Sequence, residues 1–375
     1  MKIKLALFVL LPTIVILSSV EIVCRFFSPK SSVFWANPMM LQYPVTTFDL
    51  NVTREKLNFS TDPSRVVRYV PDPVRWYRLD PEPTIPQKGK LVLHFGDSST
   101  WGWGIDRQYS YPEVLNGLLP DSVHSINLGV PGYSSLQGLE YLKLMLKLYH
   151  ERVVAVTVYF GNNDAVENGA SDVARMRAVG RKGLLVDVNF WLEEYSAFYR
   201  VLRRFASKAR SQRVNTLPRV PPDEYRQNLQ SMIELCKKYD IRIILIQPLV
   251  HWGWPPGHLT HLRSLVADVQ NKWVLNEMRL ANRLYWDGLQ LLYSQDDRYQ
   301  LSLEEAVGHD WIMSRIKRDW REVLDDFAGQ VDLIQLPDAF VEDEYPGWFV
   351  DYCHPSARVH SFIARDFARR MSYED

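Results

Sequence analysis

Serine, histidine and aspartate together can turn a hydroxyl into a nucleophile, and here each lies in a short, sharply bounded segment. The stretch "LVLHFGDSSTWGWG", Leu91 to Gly104, sets an apolar run directly against Gly96-Asp97-Ser98-Ser99-Thr100. Gly96 permits a tight turn, and Ser98 stands where a helix would begin. Taken alone, Ser98 or Ser99 reads as an ordinary helix N-cap. In "NLGVPGYSS", Asn127 to Ser135, Gly132 lets backbone N–H groups turn towards a ligand, although Pro-Gly is also a common turn. "FGNNDA", Phe160 to Ala165, presents two side-chain amides, Asn163 among them, and a carboxylate. Turn chemistry would account for those residues as well. Near the C-terminus, "FVDYCHPSARVH" has Asp351 three residues before His354. Such a loop can hold a carboxylate against imidazole Nδ1, fixing tautomer and orientation, but Asp and His also pair for structural reasons.

The elements around these segments would place all four along one edge. Five β-rich runs recur: "KLVLHF" (90–95), "SINLG" (125–129), "VVAVTVYFG" (153–161), "IRIILIQP" (241–248) and "VDLIQLP" (331–337). Helix-like stretches such as "YPEVLNGLL", "LQGLEYLKLMLKLY" and "DEYRQNLQSMIELCKKY" separate them. Strands alternating with helices predict a parallel sheet covered on both faces, with ligands bound beyond the carboxyl ends of the strands. The serine, glycine and asparagine segments fall at those ends. Two stretches exceed normal connections, about 165–222 and 252–330, and read as helical insertions over the same edge.

In this order, the segments resemble the SGNH, or GDSL-type, hydrolase superfamily. The likeness extends through "GDSSTWGWGI", "YSYPEVLNGLL", "INLGVPGYSSLQGLEYL", "YFGNNDA", "YRQNLQSMIELCKKYDIRIILIQP" and "FVDYCHP". One position departs: Val359 precedes His360, where the family often has glycine. The resemblance implies a three-layer α/β/α doubly wound fold of flavodoxin-like type and ester chemistry through an acyl-serine. It implies Ser98 as nucleophile, His354 as general base and Asp351 as its orienting carboxylate. The backbone N–H groups of Ser98 and Gly132 and the side chain of Asn163 would then form the oxyanion hole. It implies no metal and no cofactor. Hydrolysis and transfer of the acyl group to an envelope carbohydrate or lipid acceptor share this triad, and both stay open. A binding protein that has lost activity is the third reading. The substrate class is a small-molecule, carbohydrate or lipid acyl ester.

Rival chemistries lack residues they need. A G-x-S-x-G elbow is absent because "GYSSL" ends in Leu136, and no Gly-Lys-Ser/Thr follows Gly96 as a phosphate loop requires. A metallophosphatase would want histidine where Asn163 stands. His258 and His261 of "GHLTH" have no carboxylate at ligand spacing and read as a solvated loop.

In bulk, the 375 residues carry 44 basic and 44 acidic side chains, so no net field draws nucleic acid to the molecule. Apolar residues make up 46%, enough for a sizeable core. The opening "MKIKLALFVLLPTIVILSSVEIVCRFF" is apolar for 16 residues from Leu5 to Val20, and Ile22 and Val23 extend it past Glu21. It reads as an uncleaved transmembrane anchor (1–27), its N-terminus cytoplasmic after Lys2 and Lys4. A Pro-rich membrane-proximal arm (28–88) would lead to the main domain (89–375) outside the cytoplasm. Cys24, Cys236 and Cys353 form no disulfide framework; a Cys236–Cys353 bridge and two isolated buried thiols are both compatible with the sequence. "YSAFYRVLRRFASKARSQRV", Tyr195 to Val214, puts Phe198, Leu202, Phe205 and Ala209 on one stripe beside six basic residues. It reads as a surface helix, or as a lid lying near anionic headgroups.

Overall fold

A computed structural model describes residues 2–27, 33–34, 45–46, 85–103, 105, 107–168, 171–174, 188, 192, 195–202, 217–257, 272–310, 313, 315–336 and 348–371. All five predicted β-runs form strands of one parallel sheet. They are β3 (Lys90–Gly96), β4 (Val123–Gly129), β5 (Val153–Tyr159), β8 (Arg242–Ile246) and β9 (Asp332–Ile334), in the order β4-β3-β5-β8-β9. With β3 first in sequence, this is the 2-1-3-4-5 order of flavodoxin-like folds, whose strand order reverses beside the first strand. Among the described residues, four two-residue strands lie outside this sheet: β1 (Val33–Phe34) pairs with β2 (Val45–Thr46), and β6 (Glu167–Asn168) with β7 (Leu217–Pro218).

Period-two alternation explains why both faces are covered. Leu91, Leu93 and Phe95 of β3 enter one core cluster while Val92 enters the other. Ile243 and Leu245 likewise oppose Ile244 and Ile246 on β8. A strand buried on both sides reads as a nearly continuous apolar run, as these do apart from single hydrogen-bonded polar residues such as His94 and Thr157. The first face is closed by α4 (Ser135–Tyr149) and α5 (Pro222–Lys238). Leu136, Leu139, Leu142, Met145 and Leu146 supply the helical stripe of α4. Pro222 opens α5, with Asp223 and Glu224 in its first turn and Lys237 and Lys238 in its last, complementing the helix dipole at both ends. The second face is closed by α3 (Tyr111–Asn116) and α9 (Ala357–Met371), with Val359, Ile363, Ala364 and Phe367 of α9 buried. The short helix α2 (Ser98–Trp101) follows β3 directly.

Between β8 and β9 come α6 (Lys272–Tyr293), α7 (Tyr299–Gly308) and α8 (Arg318–Asp325). The β6–β7 bridge ties together the two ends of the earlier long connection. Of the basic segment starting at Tyr195, the structure describes 195–202, helical over 197–202; Arg203, Arg204 and Lys208 lie outside the described residues, as do His258, His261 and most of 28–88.

The N-terminal segment is helical as α1 (Lys2–Phe27), with Pro12 inside it. Its side chains are described at residue 12 and at 15–26. Among the described residues no helix is long and apolar enough to cross a membrane. Glu21 accepts hydrogen bonds from Ser196 Oγ at 2.9 Å, Ala197 N at 2.8 Å and Phe198 N at 3.0 Å. It thereby caps the helical segment that starts there. The cysteines are free, with Cys236 and Cys353 buried, which answers the open question in favour of separate thiols.

Candidate active site

Register brings the candidate segments side by side before any side chain is considered. Gly96, the last residue of β3, pairs with Gly129 on β4 and with Tyr159 on β5. Ser98, Gly132 and Asn163 therefore lie two, three and four residues beyond aligned strand ends. The β4 end sits hard against the serine turn. A Cβ added at Gly129 would lie 2.4 Å from Trp101 N and 2.8 Å from the Thr100 carbonyl carbon, both of them backbone atoms. Glycine is what allows this approach.

The serine begins a single helical turn. Its N-cap is Asp97 rather than either serine, a correction to the simpler sequence reading, with Asp97 Oδ1 accepting from Ser99 N at 2.8 Å. Carboxylate capping leaves the Ser98 hydroxyl uncommitted to its own backbone, so it can point elsewhere. It donates to His354 Nε2 at 2.7 Å across 256 positions of sequence. On the other side of the ring, His354 Nδ1 donates to Asp351, 2.7 Å from Oδ2 and 2.8 Å from Oδ1. The three residues named from the sequence meet as one hydrogen-bonded chain.

The loop bearing the last two is built locally. Asp351 Oδ1 also accepts from Cys353 N and His354 N, each at 3.0 Å, which folds the Asp-x-x-His segment around its own carboxylate. Val350 N donates to His354 O and Ser356 N to Trp348 O, closing the loop into a narrow hairpin. Burial pushes the Asp351 carboxyl pKa up, but the His354 charge and the hydrogen bonds from His354 and Cys353 outweigh it and hold it below the ordinary value. The carboxylate therefore stays charged opposite the imidazole. Trp103 and Tyr352 flank that imidazole, with ring centroids 5.9 and 6.2 Å away, and His354 is 7% exposed. Val359, at the family's glycine position, is buried in the second core. His360 beside it accepts from Tyr111 N through Nδ1 at 3.0 Å, tying α9 to α3 rather than joining the site.

Gly132 adopts φ +83°, a left-handed backbone natural only to glycine, and turns the chain between β4 and α4. Asn163 is less simply placed than expected. Its Nδ2 donates to Asp97 Oδ2 at 3.1 Å and to Tyr133 O at 3.2 Å. Asp97 is thus a residue that sequence reasoning passed over: buried, it caps the serine turn with one oxygen and holds Asn163 with the other. Burial raises its pKa, against the lowering effect of the Ser99 amide and His354. An aspartate directly before a predicted helix start was the available signal.

Beneath the turn runs a polar spine that gave no sequence signal, because single polar residues inside apolar strands have no motif. His94 bonds Thr157 Oγ1 at 2.8 Å and Ser125 Oγ at 2.7 Å, and Tyr111 Oη bonds Thr157 and Thr100. Burial lowers the His94 pKa to about 3, so the ring is neutral.

Asp351, Cys353 and His354 also present potential metal-ligand atoms within 4.8 Å of one another. Both imidazole nitrogens are already bonded, however, and burial keeps the Cys353 thiol pKa well above its usual value, away from the thiolate a metal would need. The donor set does not fit a metal site.

Among solved structures, the chain is similar to a carbohydrate acetylesterase from Sinorhizobium meliloti, at 14% identity over 76% of this chain and 98% of that one, with a TM-score of 0.37. It is similar to a lipase/acylhydrolase from Enterococcus faecalis, at 16% identity over 75% and 95%, TM-score 0.37. A third likeness is to a psychrotrophic esterase from Pseudoalteromonas sp., at 12% identity over 75% and 97%, TM-score 0.36. No curated protein matches. The profile of the GDSL-like lipase/acylhydrolase family matches residues 94–362, spanning every segment assembled at this edge, and the chain belongs to that family of ester hydrolases.

Proposed function

We propose that this ester hydrolase works through Ser98 as a covalent nucleophile, with His354 as general base and acid and Asp351 as its orienting carboxylate. The observation that carries the reading is the continuous chain Asp351–His354–Ser98, with 2.7 Å at each link. A serine hydroxyl is a weak nucleophile until a neighbouring base takes its proton. Here Nδ1–H is committed to Asp351, which leaves the Nε2 lone pair facing the hydroxyl. Ser98 Oγ attacks the acyl carbon as its proton passes to Nε2. The tetrahedral oxyanion collapses, the alkoxide leaves with that proton, and an acyl-serine remains. Water, deprotonated by the same Nε2, attacks the acyl carbon and releases the acid, restoring the Ser98 hydroxyl.

The oxyanion is received by the N–H groups of Ser98 and Gly132. Asn163 contributes by yielding one of its two present acceptors as negative charge develops. Such donors act on the transition state rather than on the bound ester. The substrate is an acyl ester of a small molecule, carbohydrate or lipid.

The body of the protein lies outside the cytoplasm, held at a membrane by α1. Val15, Ile16, Leu17, Ile22, Val23 and Phe26 of α1 are all more than half exposed, an apolar surface that suits lipid contact.

The test is direct. The full chain is treated with a phosphonate ester and with a panel of acyl esters, with and without a sugar acceptor. Intact-mass and peptide mapping should place the phosphonyl group on Ser98, and released acid should track ester loss. Labelling at Ser99 or at no serine would overturn the assignment, and acylated acceptor in place of free acid would make the protein a transferase. Fractionation of cells expressing the chain with and without residues 1–27 tests the membrane reading.

A further inference from the structure

The search for groups that the triad leaves unused leads to a buried ion pair behind the glycine turn. Arg219 and Asp172 have side chains only 4% and 1% exposed, with Nη2 of the arginine 2.8 Å from Oδ2 of the aspartate. A buried pair of this kind recovers little net stability after desolvation, so its geometry is the more informative property. The guanidinium does not spend itself on Asp172 alone. Nη1 donates to the Gly132 carbonyl at 2.8 Å, Nη2 to Gln137 Oε1 at 3.0 Å, and Nε to Asp172 Oδ1 at 3.2 Å. Those partners hold the turn in their own right: Ser134 N donates to Gln137 Oε1 at 2.8 Å, and Ser134 Oγ to Asp172 Oδ2 at 2.7 Å.

We infer that Arg219 is a positioning residue for the oxyanion hole, fixing the Gly132–Gln137 turn through the Gly132 carbonyl. The inference rests on the proposed roles of Ser98, Gly132 and Asn163. Gly132 sits at positive φ in a turn closed by Tyr133 N donating to Val130 O at 3.1 Å, and its carbonyl belongs to the peptide that leads into Tyr133. Gripping that carbonyl fixes the Gly132–Tyr133 peptide, and through the Gly132 Cα it limits how the preceding Pro131–Gly132 peptide, which carries the Gly132 N–H, can turn. On the other side it sets where the next carbonyl, Tyr133 O, meets Asn163 Nδ2. One guanidinium therefore governs two of the three donors. A planar fork of five N–H donors holds a backbone carbonyl, a side-chain amide and a carboxylate at fixed angles; an ammonium, a compact charge on a flexible stem, does not hold that geometry.

Its backbone placement adds a second layer. Arg219 N donates to Val166 O at 2.8 Å, and Asp172 N donates to Arg219 O at 2.7 Å. The pair thus comes from the two ends of the long 165–222 connection, joined beside the β6–β7 bridge. The described ends of this connection are therefore what holds the oxyanion donors in register.

The experiment compares full-length wild type, Arg219→Lys, Arg219→Ala and Ser98→Ala on a short soluble ester, with melting temperature measured in parallel. Arg219→Lys keeps a charge opposite Asp172 and so preserves folding, yet loses the bond to Gly132. It should lower kcat by about tenfold or more while KM stays within about twofold, the signature of an interaction realised in the transition state. Phosphonylation of Ser98 should slow in parallel. Arg219→Ala should lose at least as much, and added guanidinium ion at millimolar concentration should restore it several-fold without helping Arg219→Lys. Wild-type kcat in a folded Arg219→Lys protein, or a loss in both Arg219 variants that follows melting temperature alone, overturns the inference. Residual turnover in Ser98→Ala would instead overturn the nucleophile assignment, so the two failures are distinct.

Discussion

Ser98→Ala should remove ester turnover by several orders of magnitude and leave the melting temperature unchanged, because the hydroxyl's hydrogen bond is to His354 and not to the helix it begins. Kinetics and calorimetry on the same preparation check both halves. Asn163→Ala should lower kcat by about a hundredfold with KM nearly constant. A fall of less than tenfold would show that the amide's bonds to Asp97 and Tyr133 are its whole purpose. At this scale the sequence was legible where a residue's role depends on its neighbours in the chain, as with Asp351 three places before His354. It was illegible for Asp97, Arg219 and His94. The partners that define their roles lie 66, 87 and 63 positions away, and of the three only Asp97, directly before a helix start, carried a local sign.

Among the elements, the serine turn has the least freedom. The β4 strand ends on a glycine that touches its backbone, so Gly129→Ala must displace the Thr100–Trp101 peptide, which has no side-chain slack to give. We expect a stability loss of about 1–3 kcal/mol, as for other overpacked sites. We also expect Ser98 to react with a phosphonate at least tenfold more slowly, measured by labelling rate at a temperature where the variant is fully folded. Normal labelling would mean that the turn tolerates being moved. The five strands were readable because each is apolar on both faces and bounded by turn residues. The serine helix starts at Ser98, where the sequence put it, but its cap is Asp97 rather than a serine, since Asp and Ser are almost equally good caps and only the hydroxyl's commitment elsewhere decides between them. The path of α1 was legible as a helix but not in its docking, because Glu21 finds its partners 175 to 177 residues away.

For the molecule as a whole, buried His94 and Asp164 and half-buried His251 set opposing responses to acid. Burial drives the pKa of His94, and of His251, down to about 3, so each imidazole is neutral in the fold and protonates more readily once unfolded. Their contribution is fully present above pH 6.5 and drains away towards pH 3. Asp164, bonded to Ser135, is pushed up by burial to about 7; it holds a proton that the unfolded chain has released, and so loses stability as pH rises from about 4 to 7. Urea unfolding between pH 4 and 7 should therefore show a shallower slope of stability against pH for His94→Gln and a steeper rise for Asp164→Asn. Slopes that change in the same direction would contradict this balance. The separation of the triad along the chain also has a consequence in time. Synthesis delivers the serine, the glycine turn and all five strands before His354 is made, and N-terminal portions of a chain can fold first. Until the hairpin around His354 docks, the proposed nucleophile has no base, and a molecule that ends before His354 also lacks α9, so its serine is silent while the second face of its sheet is still open. The esterase is armed last, and its arming reports that the sheet beneath is complete.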